Sequence, residues 1–380
     1  MRSSMRLAIA QPVVGEEELA AVTRAMRRGE ISRGRSVTEF EKCFELWITR
    51  NPASHRSTPS RHAVSVASGT AAVEVSLRAL GLEGSEVVTG AISCQATANA
   101  LLAAGCRIRF ADHDPDSWQV SPASVARLIT PGTKAIVVAH LFGASADMDA
   151  FTRLARKRKV ALIEDCCQSM GARWRGRSIG TFGASASFSF YANKLITTGE
   201  GGIVIFKSKG AADKARSIRN HGQDGPFHHV RFGLNWKMPN ILCALGTAQM
   251  KRAERLAASR REREHILREI VSSHPDILLP VHPPEMEPAP FCFPVVLRRG
   301  NAAAVRAELD RRGIETRPIF PPQCDQPYWM RSAGRSRHDI PMARRIASHG
   351  LYLPTSPHLT IVETRRIGRT LLKALDHVRG

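Results

Sequence analysis

The chain predicts an α/β fold: a large domain built on a mainly parallel central sheet, followed by a smaller C-terminal α+β domain. Three observations carry this. Short Val- and Ile-rich runs alternate with amphipathic segments through the first two thirds of the 380 residues, the rhythm of strand and helix. The rhythm changes near Cys243, where a long helical pattern begins. Beyond it, Gly and Pro break the chain into shorter elements. The expected division is 1–245 for the large domain with its N-terminal segment and 246–380 for the small one, in keeping with a prior of about 150 residues per domain.

In order, "HAVSVAS" reads as the first strand and "AAVEVSLRALGL" as its helix. The pairs "SEVVTG" with "ATANALLAAG", "RIRFAD" with "SPASVARLI", and "KAIVVAH" with "DMDAFTRLARKRK" repeat the unit, and "VALIED" follows as a strand. "SASFSF" and "GGIVIF" are two further strands of the same sheet, joined by "YANKLITTGE". One helix is expected from about Cys243 to near Ile270, then a Pro-rich passage, "LLPVHPPEMEPAPFCFPVVL", ending in a strand. "AAAVRAELDRRG" reads as a helix closed by Gly313 and "MARRIASHGLYL" as another helix.

Composition narrows the function. The first residues lack the continuous apolar segment of a signal peptide, and no window approaches the roughly 18 apolar residues that span a bilayer. The protein is expected to be soluble and cytoplasmic, with no membrane partner. Eight cysteines stand without a CxxC pair and read as reduced thiols. Adjacent Cys166 and Cys167 are too close for usual zinc spacing, so core burial is favoured and no metal is expected. A net charge of +21 raises a polyanion partner. However, the densest basic segment, "MKRAERLAASRREREHILREI", mixes Glu with Arg at helical spacing as a solvated helix does. No nucleic-acid-binding signature accompanies it, so specific nucleic-acid binding is not expected.

Three features point to chemistry. Lys194 follows a buried strand, where desolvation would lower an amine pKa toward neutrality and make it a nucleophile or base; a surface lysine in a turn is the bland alternative. Asp165 ends a strand at the carboxyl edge of the sheet, where it can pair with a protonated pyridine nitrogen or simply cap a helix. Ser68, Gly69 and Thr70 turn a strand into a helix start, which offers N–H groups and a positive dipole end to a phosphate, or is ordinary capping. With Ser189 beside Lys194, a phosphate, a ring nitrogen and an imine each find a candidate partner.

The ordered series from "GEEELAAVTRAMRRGEISRGRSVTEFEK" through "IEDCCQSMGARWRGRSIGTFGASASFSFYANKLITTGEGG" to "LYLPTSPHLT" resembles the DegT/DnrJ/EryC1/StrS aminotransferases, sugar aminotransferases of the aspartate aminotransferase fold (fold type I), over nearly the whole chain. The resemblance implies pyridoxal 5'-phosphate as cofactor, cycling through pyridoxamine 5'-phosphate, with Lys194 as the Schiff-base lysine and Asp165 as partner of the ring nitrogen. It implies Gln168 against the cofactor ring and Gly69, Thr70 and Ser189 at the phosphate. Asn235 matches an asparagine that reaches the phosphate of a neighbouring subunit, implying a homodimer with shared active sites. Members that dehydrate sugars carry histidine at the lysine position, so Lys194 favours transamination. The expected reaction moves an amino group from L-glutamate or L-glutamine to a nucleotide-linked ketosugar or a cyclitol ketone, in amino-sugar, antibiotic or surface-polysaccharide biosynthesis. Two alternatives stay open: an inactive family member acting as regulator or scaffold, and a pyridoxal-phosphate enzyme of another reaction type. Three positions depart from the family. Cys94 stands where an aromatic usually stacks on the ring, Cys324 replaces a common histidine, and Arg33 stands where a small residue is usual; each is a specificity change or a neutral packing substitution. Ser32, Arg33, His221 and Cys324 are the candidate acceptor contacts, and His221 could equally be structural.

Overall fold

The computed structural model describes residues 6–50, 60–332 and 339–379. Its centre is a seven-stranded sheet formed by β1 (His62–Val66), β2 (Glu86–Gly90), β3 (Arg107–Ala111), β4 (Thr133–Ala139), β5 (Ala161–Asp165), β6 (Ser185–Ser189) and β7 (Gly202–Phe206). The spatial order is β1-β7-β6-β5-β4-β2-β3. β7 runs antiparallel to both its neighbours, and the pairings from β6 through β3 are parallel. β1 to β5 alternate with helices as their sequence rhythm required, whereas β5, β6 and β7 follow one another with no helix between them. Alternate residues of β7 show why both faces are apolar: Ile203 and Ile205 pack in one cluster with Phe40 and Phe44, whereas Val204 and Phe206 pack on the opposite face with Val64 and Ala72.

Helices cover these faces. α1 (Glu16–Arg27) and α2 (Arg35–Thr49) precede the sheet; α3 (Gly69–Ala79), α4 (Gln95–Ala103), α5 (Pro122–Leu128), α6 (Met148–Arg158) and α7 (Lys209–Ile218) connect or follow its strands. The single long helix expected from Cys243 is two, α8 (Asn240–Met250) and α9 (Ala253–Val271). The break falls at Lys251 and Arg252, and the Arg252 guanidinium is held by Glu18 of α1 at 2.9 and 3.0 Å and by the Val13 carbonyl.

A second, antiparallel sheet has the order β8 (Ile277–Leu278), β9 (Phe293–Leu297), β11 (Gly350–Leu353), β10 (Arg317–Pro318). α10 (Ala302–Arg311), α11 (Pro327–Ser332), α12 (Pro341–His349) and α13 (Ile361–Arg379) accompany it. "MARRIASHGLYL" is therefore not one helix: α12 stops at Gly350, where a Cβ would lie 2.3 Å from the Ile346 carbonyl oxygen, and "LYL" pairs with β9. One face of this sheet packs Phe293, Val295 and Leu297 against Leu267, Leu309 and Leu371. On the other face Val296 and Tyr352 share a cluster with Ile92, Ala139 and Phe142 from the large sheet's carboxyl edge. The beginning of the chain joins the C-terminal part: Leu7 bridges Ile314, its N–H donating to the Gly313 carbonyl at 2.8 Å and its carbonyl accepting from Glu315 at 3.0 Å. None of the described helices is long and apolar enough to cross a membrane.

Candidate active site

The carboxyl ends of the parallel strands open into a cavity of about 340 Å³, closed on the far side by Phe291, Phe320 and Tyr352 of the C-terminal part. Ser68, Gly69, Thr70, Cys94, Asp165, Gln168, Ser189 and Lys194 all line it. Residues separated by more than a hundred positions meet here because they stand at or just after the ends of four strands, β1, β2, β5 and β6.

Lys194 stands in the turn after β6. Its backbone N–H donates to the Tyr191 carbonyl at 2.9 Å, and the turn is pinned by Phe190 N–H to Gly201 at 2.9 Å and Thr198 N–H to Phe190 at 2.9 Å. The amine Nζ lies 4.3 Å from the centre of the Phe291 ring. Among the described residues no hydrogen-bond or ion partner is found for it. Burial pulls its pKa below that of a free lysine, against the opposing influence of Cys167, Cys94 and Asp165.

Asp165 is 6% exposed at the end of β5. Its Oδ2 accepts from the Thr97 hydroxyl at 2.7 Å and its Oδ1 from the Cys167 N–H at 3.1 Å. No cation lies in ion-pair contact with it among the described residues, although the Lys194 amine in the same cavity is near enough to feel its charge. Gln168 accepts from the Phe142 N–H at 3.3 Å. Behind them Glu164 points away from the cavity. Burial favours its neutral form, but His140 and the N–H groups of Gly180, Phe182 and Gly183 hold its pKa below the ordinary carboxylate value. Ligand atoms of His140, Glu164 and Cys166 lie within 4.8 Å of one another. Both Glu164 oxygens are already engaged by these hydrogen bonds.

Opposite Lys194, α3 begins. Ser68 caps it by accepting from the Ala71 N–H at 3.1 Å, and the earlier N–H groups of Gly69 and Thr70 have no partner among the described residues. Gly69 is required by close packing: a Cβ would lie 2.7 Å from Ser189 Cβ and 3.2 Å from Cys167 Sγ. Gly202 meets the same seam, where a Cβ would lie 2.4 Å from the Ser68 carbonyl oxygen. A hydroxyl, a glycine and a helix start thus form one anion-sized corner.

Cys94 is exposed at the first residue before α4 and lines the cavity. The remaining expected contacts lie elsewhere in the chain. Ser32 and Arg33 line a separate cavity of about 300 Å³ with Arg216, Arg219, Asn220 and Lys237. His221 is exposed with a left-handed backbone, φ 59°, and Asn235 is exposed and bridges Asn220. Cys324 is 2% exposed, outside the cavity lining, packed in the cluster that includes Trp329 and Ile340; burial pushes its thiol up to about 12. Thr97, His140, Asn193 and Phe291 line the site without having been singled out from sequence. Thr97, one turn into a helix that starts at a strand end, carried a weak signal; Phe291 carried none, because it arrives from the other side of the chain.

An amine, a buried carboxylate and an anion corner around one cavity suit a planar ring bearing an aldehyde, a ring nitrogen and a phosphate. The Asp165 carboxylate, in ion-pair contact with no cation among the described residues, and the buried Asn193 Oδ1, which has no hydrogen-bond partner, fit such a guest.

Comparison with known proteins agrees. The pattern of the DegT/DnrJ/EryC1/StrS aminotransferase family matches residues 12–372. The chain is 33% identical to GDP-perosamine synthase of Caulobacter vibrioides over 98% of each protein. The S. venezuelae aminotransferase DesV, solved in complex with a ketimine intermediate, superposes with a TM-score of 0.87 at 30% identity, covering 94% of each chain. The aminotransferase TlmJ from Streptoalloteichus hindustanus superposes with a TM-score of 0.90 at 27% identity, over 98% of this chain and 100% of that one.

Proposed function

Because the chain belongs to the DegT/DnrJ/EryC1/StrS aminotransferase family, we propose that the cavity around Lys194 is where it carries an amino group from an amino acid to a ketone. The protein is a pyridoxal-phosphate-dependent aminotransferase that passes the amino group of L-glutamate or L-glutamine to a ketosugar or cyclitol ketone. The observation that carries the site assignment is that the desolvated Lys194 amine, without a hydrogen-bond partner among the described residues, and the buried Asp165 carboxylate, without an ion-pair partner among them, line one cavity.

The bound cofactor supplies an electron sink for the carbanion formed at the donor's α-carbon. Lys194 Nζ would hold the cofactor and, once released, move the proton to and from that carbon, a role that burial favours by lowering its pKa below that of a free lysine. Asp165, fixed by Thr97 and the Cys167 N–H, keeps the ring nitrogen protonated. Gln168 would lie against the ring, and Gly69, Thr70 and Ser189 would hold the phosphate. Cys94 would offer one ring face a thiol instead of an aromatic.

Asn235, Ser32, Arg33 and His221 serve the cavity of a second subunit in a homodimer. The exposed Phe227, Phe232 and Leu234 beside them support this reading, as surface that a partner would cover. Cys324 has a packing role. The working division of the chain remains 1–245 and 246–380, and the protein acts in the cytoplasm.

The test is an absorption spectrum with pyridoxal phosphate, before and after adding L-glutamate or L-glutamine. The expected result is a visible band that shifts to the shorter-wavelength pyridoxamine form in the native protein and is missing in Lys194→Ala. An unchanged band in Lys194→Ala would overturn the assignment.

A further inference from the structure

Helix α9 buries a guanidinium in a segment whose composition suggests a solvated surface. Its inward stripe runs Ala253, Leu256, Ala257, Arg260, Glu264, Leu267, Val271, so Arg260 falls on the apolar line. Arg260 is 3% exposed. Among the described residues no carboxylate pairs with it, and its Nε has no partner. Its other nitrogens donate to four backbone carbonyls. Nη1 reaches Phe291 at 2.8 Å and Pro290 at 3.4 Å. Nη2 reaches Lys194 at 3.2 Å and Asn193 at 3.3 Å.

A charge taken from water and met only by neutral carbonyls costs stability that an apolar side chain would not. Burial pulls this guanidinium down to about 10. What the arrangement provides is geometric. Asn193 and Lys194 belong to the turn that carries the amine. Pro290 and Phe291 belong to the segment entering β9, distant in sequence, and Phe291 is the ring against which Nζ rests at 4.3 Å. That segment is fixed in turn by Phe291 N–H to the Phe142 carbonyl at 3.3 Å and Ala289 N–H to Gly143 at 2.8 Å. One planar fork therefore spans both halves of the amine's seat, a task that suits arginine because its donors are held in fixed relative positions.

We propose that Arg260 is a positioning residue for Lys194: its guanidinium ties the lysine backbone to that of Phe291 and so sets where Nζ stands in the cavity. The inference rests on the reading of Lys194 as the amine that holds the cofactor. Arg260 touches neither cofactor nor substrate; it acts through the two backbones it joins. Loosening them leaves the cavity walls that bind donor and phosphate in place while the amine loses its fixed approach.

The experiment mixes cofactor-free full-length protein with pyridoxal phosphate and follows the visible band of the lysine linkage, in the native protein, Arg260→Met and Arg260→Lys. The same proteins are assayed for kcat and donor KM. In Arg260→Met, linkage formation and kcat are each expected to fall on the order of tenfold, as misplaced reacting groups do, while donor KM stays within about twofold. Arg260→Lys, with one charged donor for four carbonyls, is expected to recover part of the loss. Native linkage rate and native kcat in Arg260→Met, whatever its melting temperature, would overturn the proposal and leave Arg260 as a tie between the two parts of the chain. If Arg260→Met does not fold, Arg260→Lys decides: a slowed linkage supports the proposal and a native rate overturns it. A native protein that forms no linkage at all removes the reading of Lys194 together with this inference.

Discussion

At the scale of single residues, Cys94 is the sharpest departure within the cavity. It is exposed, whereas Cys106, Cys166, Cys243, Cys292 and Cys324 are buried and Cys43 and Cys167 are half-buried. Among those shielded thiols burial pushes Cys243 up to about 12 and raises Cys166 and Cys167 well above the ordinary thiol value, which suppresses the reactive thiolate. Maleimide should therefore label Cys94 first, and pyridoxal phosphate should slow that labelling by covering the same cavity. Peptide mapping after brief exposure checks both, and labelling that starts at another cysteine or ignores the cofactor would contradict the site. Cys94→Phe should tighten cofactor binding by about 0.5–1.5 kcal/mol, the worth of an aromatic pair beyond its buried area, measurable by equilibrium titration.

At the scale of elements, Glu86 shows how one side chain can join three of them. At the start of β2 its carboxylate accepts from the hydroxyls of Thr130 at 2.6 Å and Thr133 at 2.7 Å, which lead into β4, and pairs with Arg109 of β3 at 3.0 Å. Burial alone would raise its pKa, but these partners prevail and lower it from 4.5 to about 2. The folded value lies below the unfolded one, so this contribution is fully present above pH 4.5 and is lost as pH falls toward about 2. Glu86→Gln should lower stability at neutral pH by about 1.5–3 kcal/mol, the range for hydrogen bonds to charged groups, and flatten the decline between those two pH values. Denaturant titrations across the acid range check the sign; a variant as acid-sensitive as the native protein would refute it. Elements also mark what the sequence could reveal. The seven strands were legible because each is a short apolar run closed by a turn, and Lys194, Asp165 and Gly69 were legible because each follows such a run. The break before α9 was not, since Arg252 is held by Glu18, 234 positions away. Arg260 and Arg263 looked solvated for the same reason. The carbonyls that satisfy them, at Lys194 and Leu359, leave no trace in the periodicity of the helix. Gly350 ended α12 where composition alone continued it. Ser32, Arg33, His221 and Asn235 were proposed from resemblance, and a single chain does not bring them to the cavity.

At the scale of the whole molecule, the cluster joining the two sheets matters most for stability. Phe142, Leu141 and Ile92 from the large sheet's edge pack with Val296, Ile319 and Trp329 from the C-terminal part, so neither part has a complete apolar surface without the other. Unfolding in urea should then be one transition, with far-ultraviolet circular dichroism and tryptophan fluorescence coinciding. Trp329→Ala, which removes a ring 5.1 Å from that of Phe110, should cost about 3–5 kcal/mol and move both signals together. Two separated transitions would show the parts to be independent. The bridge between Leu7 and Ile314 adds a condition on time. On a ribosome adding about 5–20 residues per second, the partner of Leu7 is made roughly 15–60 seconds after Leu7 itself. The first segment of the nascent chain thus waits for its bridge partner until more than four fifths of the protein has been translated, and newly made chains interrupted before that point cannot complete the C-terminal core.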